Sequence, residues 1–246
     1  MGSDLSKDEM PAHQVTLKPF CIDRFEVTLD AYKACSDAGA CLRAGIVNEV
    51  AAMTEREHAA YDPLCNARDP KGRGKHPVNC VNWEQADKFC REHDARLPTE
   101  SEWEFAARGP DGRKYPWGDE EPAADLLNAC DKQCVEWGKK VGLALPPMFA
   151  ADDGYAATAP VGSFPKGASR YGVEDVVGNV WEWVADWYAA YPKDEAVDPK
   201  GPAEGEERVI RGGAWNGAYA GWVRPTFRYH NAPISRSHGI GFRCAK

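Results

Sequence analysis

The chain has 246 residues, enough to bury one large hydrophobic core without needing a second domain. Its 38 acidic side chains outnumber 30 basic ones, and the basic residues form no run, which argues against nucleic acid or an anionic membrane surface as a partner. No apolar run approaches the roughly 18 residues of a membrane span, so no spanning segment is expected.

The N-terminal part of the chain is predicted to contain a flexible segment, a strand and a helix. Residues 1–12 are polar and are expected to be flexible, ahead of a folded domain at residues 13–246. Apolar and polar residues alternate from His13 to Thr28, which predicts a strand followed by a turn back. Residues 29–35 then favour a short helix.

Two further helices are predicted from capping boxes, in which a polar residue and a Gln or Glu three positions later cap each other's backbone. Asn82 with Gln85 starts the first helix, and Thr99 with Glu102 starts the second. Beyond Gly109 the chain is rich in turn residues, and no regular element is expected before residue 175. With nine tryptophans, 23 glycines and 18 prolines, the composition indicates a loop-rich protein pinned by aromatic side chains.

The segment 175–187 is predicted to be the central strand, because three tryptophans occur within seven of its residues. Trp181 and Trp183 alternate, so both should lie on one face. Oxygen donors surround them, at Asp175, Asn179, Glu182 and Asp186. Buried carboxylates require a cation or a dense set of hydrogen bonds. After this strand we expect an acidic surface loop at residues 191–207 and a last hairpin region at residues 209–244.

Nine cysteines indicate an oxidising compartment, since cytosolic enzymes seldom carry so many. No CxxC…CxxC pattern occurs, which argues against structural zinc. Spacing suggests three disulfides, Cys35–Cys41, Cys65–Cys80 and Cys130–Cys134. Residues 1–3, Met-Gly-Ser, resemble a cloning remnant, so an export signal, with or without a lipid anchor, is expected to have been removed. The protein is therefore expected to be periplasmic, displayed at the cell surface or secreted.

An ordered set of short motifs across nearly the whole chain resembles the formylglycine-generating enzyme (sulfatase-modifying factor) family. The motifs are HQVTL at 13–17, FEVT at 25–28, HPV at 76–78, RLPTESEWE at 96–104, YPWG at 115–118, APV at 159–161, GNVWEW at 178–183, RGGAW at 211–215 and GFRC at 241–244. The resemblance implies a single α+β domain, low in regular structure and related to C-type lectins. Residues 43–75 match the family least and are expected to be an insertion.

The same resemblance implies two calcium sites, and calcium is an ion that takes carboxylate, amide and carbonyl oxygens together. The first set falls on Asn128, Ala129, Asp153 and Tyr155, and the second on Asp175, Gly178, Val180 and Glu182. Ala129, Tyr155, Gly178 and Val180 would contribute backbone carbonyls. The alternative is that these acids only cap turns. The family also implies a long-range Cys90–Cys244 disulfide, which leaves Cys21 as an expected buried, inert thiol.

The chain lacks the cysteine pair through which the family's formylglycine generators bind copper(I), an ion that prefers soft sulfur ligands. Gly217 and Trp222 stand at the two thiol positions, and Ala214 replaces the active-site serine. We therefore expect no copper and no formylglycine-generating activity.

A polar and aromatic cleft is expected where the family has its active site. Its predicted lining residues are Trp181, Trp215, Asn216, Arg224, Arg228 and His230. The alternative is a wall of buried aromatic side chains with structural arginines. His230 and His238 also leave open a different metal, such as non-haem iron, which needs two histidines and a carboxylate.

These observations favour an exported, calcium-stabilised binding or accessory protein that takes a peptide, a protein or a small polar ligand. An oxidoreductase of different chemistry, using iron or resembling the family's pyoverdine-maturation oxidase, is the main alternative. A purely structural partner in an envelope complex is a third. Fold alone does not decide between them.

Overall fold

The computed structural model describes residues 1–246. The regular secondary structure of the protein consists of short elements connected by long loops. The helices are α1 (Leu29–Asp37), α2 (Glu55–Tyr61), α3 (Trp83–Glu92), α4 (Glu100–Arg108) and α5 (Lys132–Val141). The strands are β1 (Val15–Thr16), β2 (Trp181–Trp187), β3 (Ala196–Val197), β4 (Arg208–Arg211), β5 (Arg228–Asn231) and β6 (Ile240–Gly241). The predicted α+β class with little regular structure is confirmed. None of the helices is long and apolar enough to cross a bilayer.

Four strands form the main sheet in the order β5-β4-β2-β6. β4 runs antiparallel to both β2 and β5, whereas β6 pairs parallel to β2. Glu182 of β2 therefore lies between Arg211 on one side and Gly241 on the other. A second, two-stranded sheet pairs β1 with β3.

Strand β2 is central because both of its faces are buried. Trp183 lies fully buried in one core cluster with Phe242, and Trp181 packs against the edge of that cluster. Val184 faces a second cluster around Trp103 of α4. The alternation of the two tryptophans on one face is as predicted. An apolar strand with two covered faces holds its inward carboxylates away from water.

Helices α3 and α4 both begin with the predicted capping boxes. Such caps satisfy backbone N–H groups that the first helical turn leaves unpaired, and each contributes about 1 kcal/mol. Helix α1 also agrees, although it extends to Asp37. Helix α5 was not expected. Asp131 caps it by accepting from the Cys134 N–H, but no Gln or Glu follows at the position that completes a capping box.

The first strand is much shorter than the alternation predicts. Only residues 15–16 pair as a strand, and the rest of the predicted segment makes single bridges from Ile22 to Ala245 and from Thr28 to Pro77. These partners are themselves irregular, so no continuous ladder can form along the segment.

Residues 1–12 pack on the domain, in contrast to the expectation of a flexible segment. Glu9 is fully buried and pairs with Arg224, and the Gly2 N–H donates to the Glu104 carboxylate. The polar composition of the segment is explained by these contacts, because its carboxylate and backbone groups compensate buried charges.

Four disulfides are present, and all four predicted pairs are among them: Cys35–Cys41, Cys65–Cys80, Cys90–Cys244 and Cys130–Cys134. The Cys90–Cys244 bridge joins α3 to the end of the chain across 154 positions. The expectation for Cys21 was wrong, because this free cysteine is exposed. Its neighbours along the chain form an irregular surface segment rather than a buried strand.

We expect alkylation of the folded, unreduced protein to modify Cys21 alone, because Cys21 is the single free thiol and is exposed to solvent. Peptide mapping by mass spectrometry without reduction checks this result. Labelling of Cys90 or Cys244 in protein recovered from an oxidising compartment would contradict both the pairing and the expectation of export.

Candidate functional site

Glu182 of β2 forms a fully buried ion pair with Arg243. The guanidinium donates from Nε and Nη2 to the two carboxylate oxygens at 2.8 and 2.7 Å. Trp103 donates its indole N–H to the same carboxylate at 2.8 Å. Arg243 also donates to three backbone carbonyls, those of Asp23, Arg24 and Glu174. The predicted calcium ligand Glu182 thus already has strong donors on both oxygens.

The loop before β2 turns its backbone through two left-handed residues, Gly178 and Asn179. A side chain at Gly178 would collide with the Asn128 carbonyl, since a Cβ there would lie 2.4 Å from that oxygen. The Asn179 N–H donates to the same carbonyl, and the Asn179 carbonyl accepts from Trp215. The carbonyls on either side, at Gly178 and Val180, accept no backbone hydrogen bond.

Asp175 and Glu26 are buried next to this loop without a cationic partner of their own. Asp175 accepts one hydrogen bond, from the Gly162 N–H, and burial raises its pKa to about 6. Glu26 has one oxygen with no partner, and burial together with the charge of Asp175 raises its pKa well above its ordinary value. Three carboxylates, counting Glu182, thus face the single guanidinium of Arg243.

Sequence reasoning missed Glu26. The signal was available, because Glu26 stands beside Val27 in a segment of apolar inward positions, and both side chains are buried. An acid at such a position needs a specific partner.

The other predicted oxygen set also comes together. Asp153 accepts from the Ala129 and Tyr155 N–H groups, and burial raises the pKa of its carboxyl to about 7. Asn128 donates its amide N–H to the Ala157 carbonyl, but its side-chain oxygen is buried with no donor. The Ala129 and Tyr155 carbonyls accept no backbone hydrogen bond.

These two sets fit a hard cation by the chemistry of their donors. A bound cation would compensate the orphaned amide oxygen of Asn128 and the carboxyls of Asp153 and Asp175, whose pKa values burial raises. In the first set, the donors without a hydrogen-bond partner are the Asn128 side-chain oxygen and the Ala129 and Tyr155 carbonyls, whereas Asp153 already accepts two backbone N–H groups. In the second set, Glu182 is already paired with Arg243. The carboxylates that have no cationic partner of their own are therefore Asp175 and Glu26.

The six residues predicted to line one cleft lie in separate environments. Trp215 is buried against Trp137 of α5 and Tyr61 of α2. Asn216, the next residue, is half-buried. Trp181 is half-buried and packs on Phe227 and Tyr229. The prediction of a single cleft is therefore corrected, because Tyr61 of α2 and Trp137 of the unforeseen α5 cover Trp215.

The two arginines predicted to line the cleft, Arg228 and Arg224, each pair with a buried carboxylate. Arg228 and Arg211 both donate to Glu100, and Arg211 also pairs with Glu104 one helical turn further along α4. Burial alone would raise the pKa of Glu100, but the two guanidiniums more than offset it and lower that pKa. Arg224 pairs with Glu9. Both arginines are thus structural, which is the alternative that the sequence left open.

The two candidate iron-binding histidines have different neighbours. His238 is stacked on Tyr61, with ring centroids 4.1 Å apart, and burial lowers its pKa to about 3. His230 lies beside Tyr188 and pairs with Glu207. No cluster of three or more His, Cys, Asp and Glu side chains is arranged to hold a metal ion. The two-histidine, one-carboxylate arrangement is not formed.

Gly217 and Trp222, the two positions at which the resemblance predicts copper thiols, have side chains without sulfur. Gly217 sits tightly against the backbone, since a Cβ there would lie 2.9 Å from the Ala214 carbonyl. Trp222 is partly exposed and packs edge-on against Tyr219. Eight of the nine cysteines are in disulfides, and the free one, Cys21, is far away in the sequence.

Comparison with known proteins gives consistent matches over the whole chain. The family described as Sulfatase-modifying factor enzyme 1-like domain matches residues 1–246. The formylglycine-generating enzyme of Streptomyces coelicolor is 36% identical, over 96% of this chain and 81% of that protein. Inactive C-alpha-formylglycine-generating enzyme 2 of Mus musculus is 34% identical, over 100% of this chain and 84% of that protein. Among solved structures, PvdO from Pseudomonas aeruginosa superposes with a TM-score of 0.70 at 29% identity, covering 98% of this chain and 85% of that one.

Proposed function

This chain belongs to the sulfatase-modifying factor enzyme 1-like family, and we propose that it is an exported, calcium-stabilised member that does not generate formylglycine. It acts instead as a binding or accessory protein. Relatives named as formylglycine-generating enzymes and as an inactive form are about equally similar to it, so family membership alone leaves the activity open.

The observation that carries this proposal is the state of the cysteines. A copper(I) site of the family's kind needs two thiolates close together. Here eight cysteines are bridged and Cys21 is the single thiol. Gly217, Trp222 and Ala214 have no side chain that could take over sulfur ligation or supply a serine hydroxyl. Residues that cannot bind copper cannot activate oxygen on it.

The calcium and export parts of the proposal rest on separate observations. The orphaned oxygen of Asn128 and the buried carboxyls of Asp153, Asp175 and Glu26 support bound calcium. When bound, the ion would compensate buried negative charge and tie the loop at residues 175–180 to the segments around Asn128 and Asp153. Four disulfides support an oxidising compartment.

We expect no aldehyde when the protein is incubated with copper and a peptide carrying Cys-x-Pro-x-Arg, as measured by mass spectrometry. The Streptomyces coelicolor relative, assayed in parallel, serves as the positive control. Conversion of the peptide cysteine to formylglycine by this chain would contradict the proposal. Metal analysis of the same sample tests the oxidoreductase alternative, since that reading requires a stoichiometric redox metal that depends on His230 or His238.

A further inference from the structure

A cavity of about 330 Å³ opens between the insertion at residues 43–75 and the loop that follows α5. Its volume lies at the lower end of the range for small-molecule sites, roughly 300–1,000 Å³. The side chains that line it are Leu64, Arg73, His76, Trp137, Tyr155 and Thr158. None of the residues predicted from the sequence to line the cleft is among them.

Arg73 is the unusual member of this lining, because its guanidinium is half-buried without a carboxylate partner. Its polar side-chain contacts are the carbonyl and hydroxyl of Thr158 and the His76 ring, at long distances of 3.3 to 3.5 Å. The strongly buried arginines, Arg211, Arg228 and Arg243, all pair with carboxylates. Arg73 is only half-buried, feels the charge of Asp69 without pairing with it, and faces the cavity, so its guanidinium is free to bind an anionic partner from outside.

His76 adds a second hydrogen-bond donor to the same cavity. Arg73 can only donate, so its 3.5 Å contact with the His76 Nδ1 favours the neutral tautomer in which Nδ1 accepts and Nε2 carries the proton. The Thr158 hydroxyl, 3.0 Å from Nδ1, fits the same tautomer. Burial and the nearby Arg73 charge lower the pKa of His76 to about 4, so the ring stays neutral near pH 7.

The remaining walls are apolar and held in place. Trp137 packs on Tyr61 and Trp215, with ring centroids 5.5 and 5.3 Å apart. Tyr155 packs edge-on against Phe164, and Leu64 faces the opening. Gly154 leaves room beside them, since a Cβ there would meet no atom within 4 Å. The lining therefore combines one cationic side chain with aromatic and apolar ones.

We propose that this cavity binds a small carboxylate bearing an apolar group, with the carboxylate on Arg73 and the apolar group against Trp137 and Leu64. The inference rests on the proposed binding function and gives it a location and a ligand class. An arginine fork matches a carboxylate in a bidentate geometry, which sets it apart from lysine. The carboxylate can belong to a free acid or to the C-terminus of a peptide.

Isothermal titration calorimetry with 3-phenylpropionate and its neutral amide tests the charge requirement directly. The acid should bind the wild-type protein, and the amide should bind at least about tenfold more weakly, because it cannot form the charged pair. The peptide Gly-Gly-Phe with a free or an amidated C-terminus separates the two sources. Tighter binding of the free peptide than of 3-phenylpropionate would identify a peptide end as the ligand.

Arg73→Gln should weaken binding of 3-phenylpropionate at least about tenfold while leaving the melting temperature nearly unchanged, because its native contacts are long. Arg68→Gln is the matched control, since Arg68 is an exposed arginine of the same insertion. Binding that survives Arg73→Gln, or equal binding of acid and amide by the wild type, overturns the inference. So does the absence of binding at millimolar concentration. Those results leave the proposed lack of formylglycine generation standing, because the peptide–aldehyde assay tests it separately.

Discussion

Replacing Arg243 by methionine is expected to lower the free energy of unfolding by about 3–5 kcal/mol, the range for breaking a buried ion pair from one side. Methionine fills much of the space but removes the two hydrogen bonds to Glu182. Glu182 would then be a buried carboxylate whose remaining donor is the Trp103 indole. The Asp23 and Glu174 carbonyls would lose their donor as well, and the Arg24 carbonyl would keep only the Glu174 N–H.

Urea unfolding of the wild type and the variant measures this change. Arg91→Met is the matched control, because the Arg91–Asp87 pair lies on the surface of α3 with the arginine side chain 69% exposed. Surface pairs contribute about 0–1 kcal/mol, so the control should unfold almost like the wild type. A loss below about 1 kcal/mol for Arg243→Met would mean that Glu182 has another compensating partner.

Removing calcium with a chelator is expected to lower the melting temperature by about 5–10 °C. A ligand present at 100 times its dissociation constant adds about 2.7 kcal/mol to the folded state. For a chain of 150–250 residues, 1 kcal/mol shifts the melting temperature by about 2–4 °C. Differential scanning calorimetry with and without calcium measures the shift.

Asp153→Asn should remove the part of this calcium response that the first oxygen set contributes. The asparagine keeps the shape of the side chain and removes the charge that a cation would compensate. Its amide NH2 also replaces one of the two oxygens that accept from the Ala129 and Tyr155 N–H groups, so the calcium-free variant should be somewhat less stable than the calcium-free wild type. Asp152→Asn, a change at the exposed neighbouring acid, should keep the full response. A wild-type melting temperature that does not change on chelation would refute both oxygen sets.

The effect of the chelator should also grow as the pH rises. Burial raises the pKa of Asp153 to about 7 and of Asp175 to about 6, against an ordinary value of 3.8. Between those values the calcium-free folded state holds protons that the unfolded chain has released. The free energy of unfolding of the calcium-free protein therefore falls as the pH rises from about 4 to about 7. Calcium favours the ionised carboxylates, so the difference between the two forms should be largest above pH 7 and small near pH 5.

The parts of the fold that could be predicted are those with a local chemical signature. The tryptophans of β2 and the capping boxes of α3 and α4 act within a few residues, so their geometry follows from spacing alone. Three of the four disulfides could be predicted for a related reason, because they close short loops. Cys90–Cys244 spans most of the domain, and only resemblance to the family pointed to it.

The cleft could not be predicted in the same way, because its shape depends on segments that are distant in sequence. Trp215 follows the family motif, but its burial is decided by Tyr61 in the insertion and Trp137 in α5. Neither segment has a motif that signals this contact. The unpaired guanidinium of Arg73 is likewise visible only once the absence of a neighbouring carboxylate is established in three dimensions.

The long sequence separation between residues 242–244 and their partners has a consequence for when the domain can fold. Phe242, Arg243 and Cys244 are all buried, and they supply a core ring, the counterion of Glu182 and the partner of Cys90. A ribosome that has not yet made these residues holds a chain whose central strand carries an uncompensated acid. Contacts of such long sequence separation also form slowly. Folding of this domain therefore has to wait until residues 242–244 have been made.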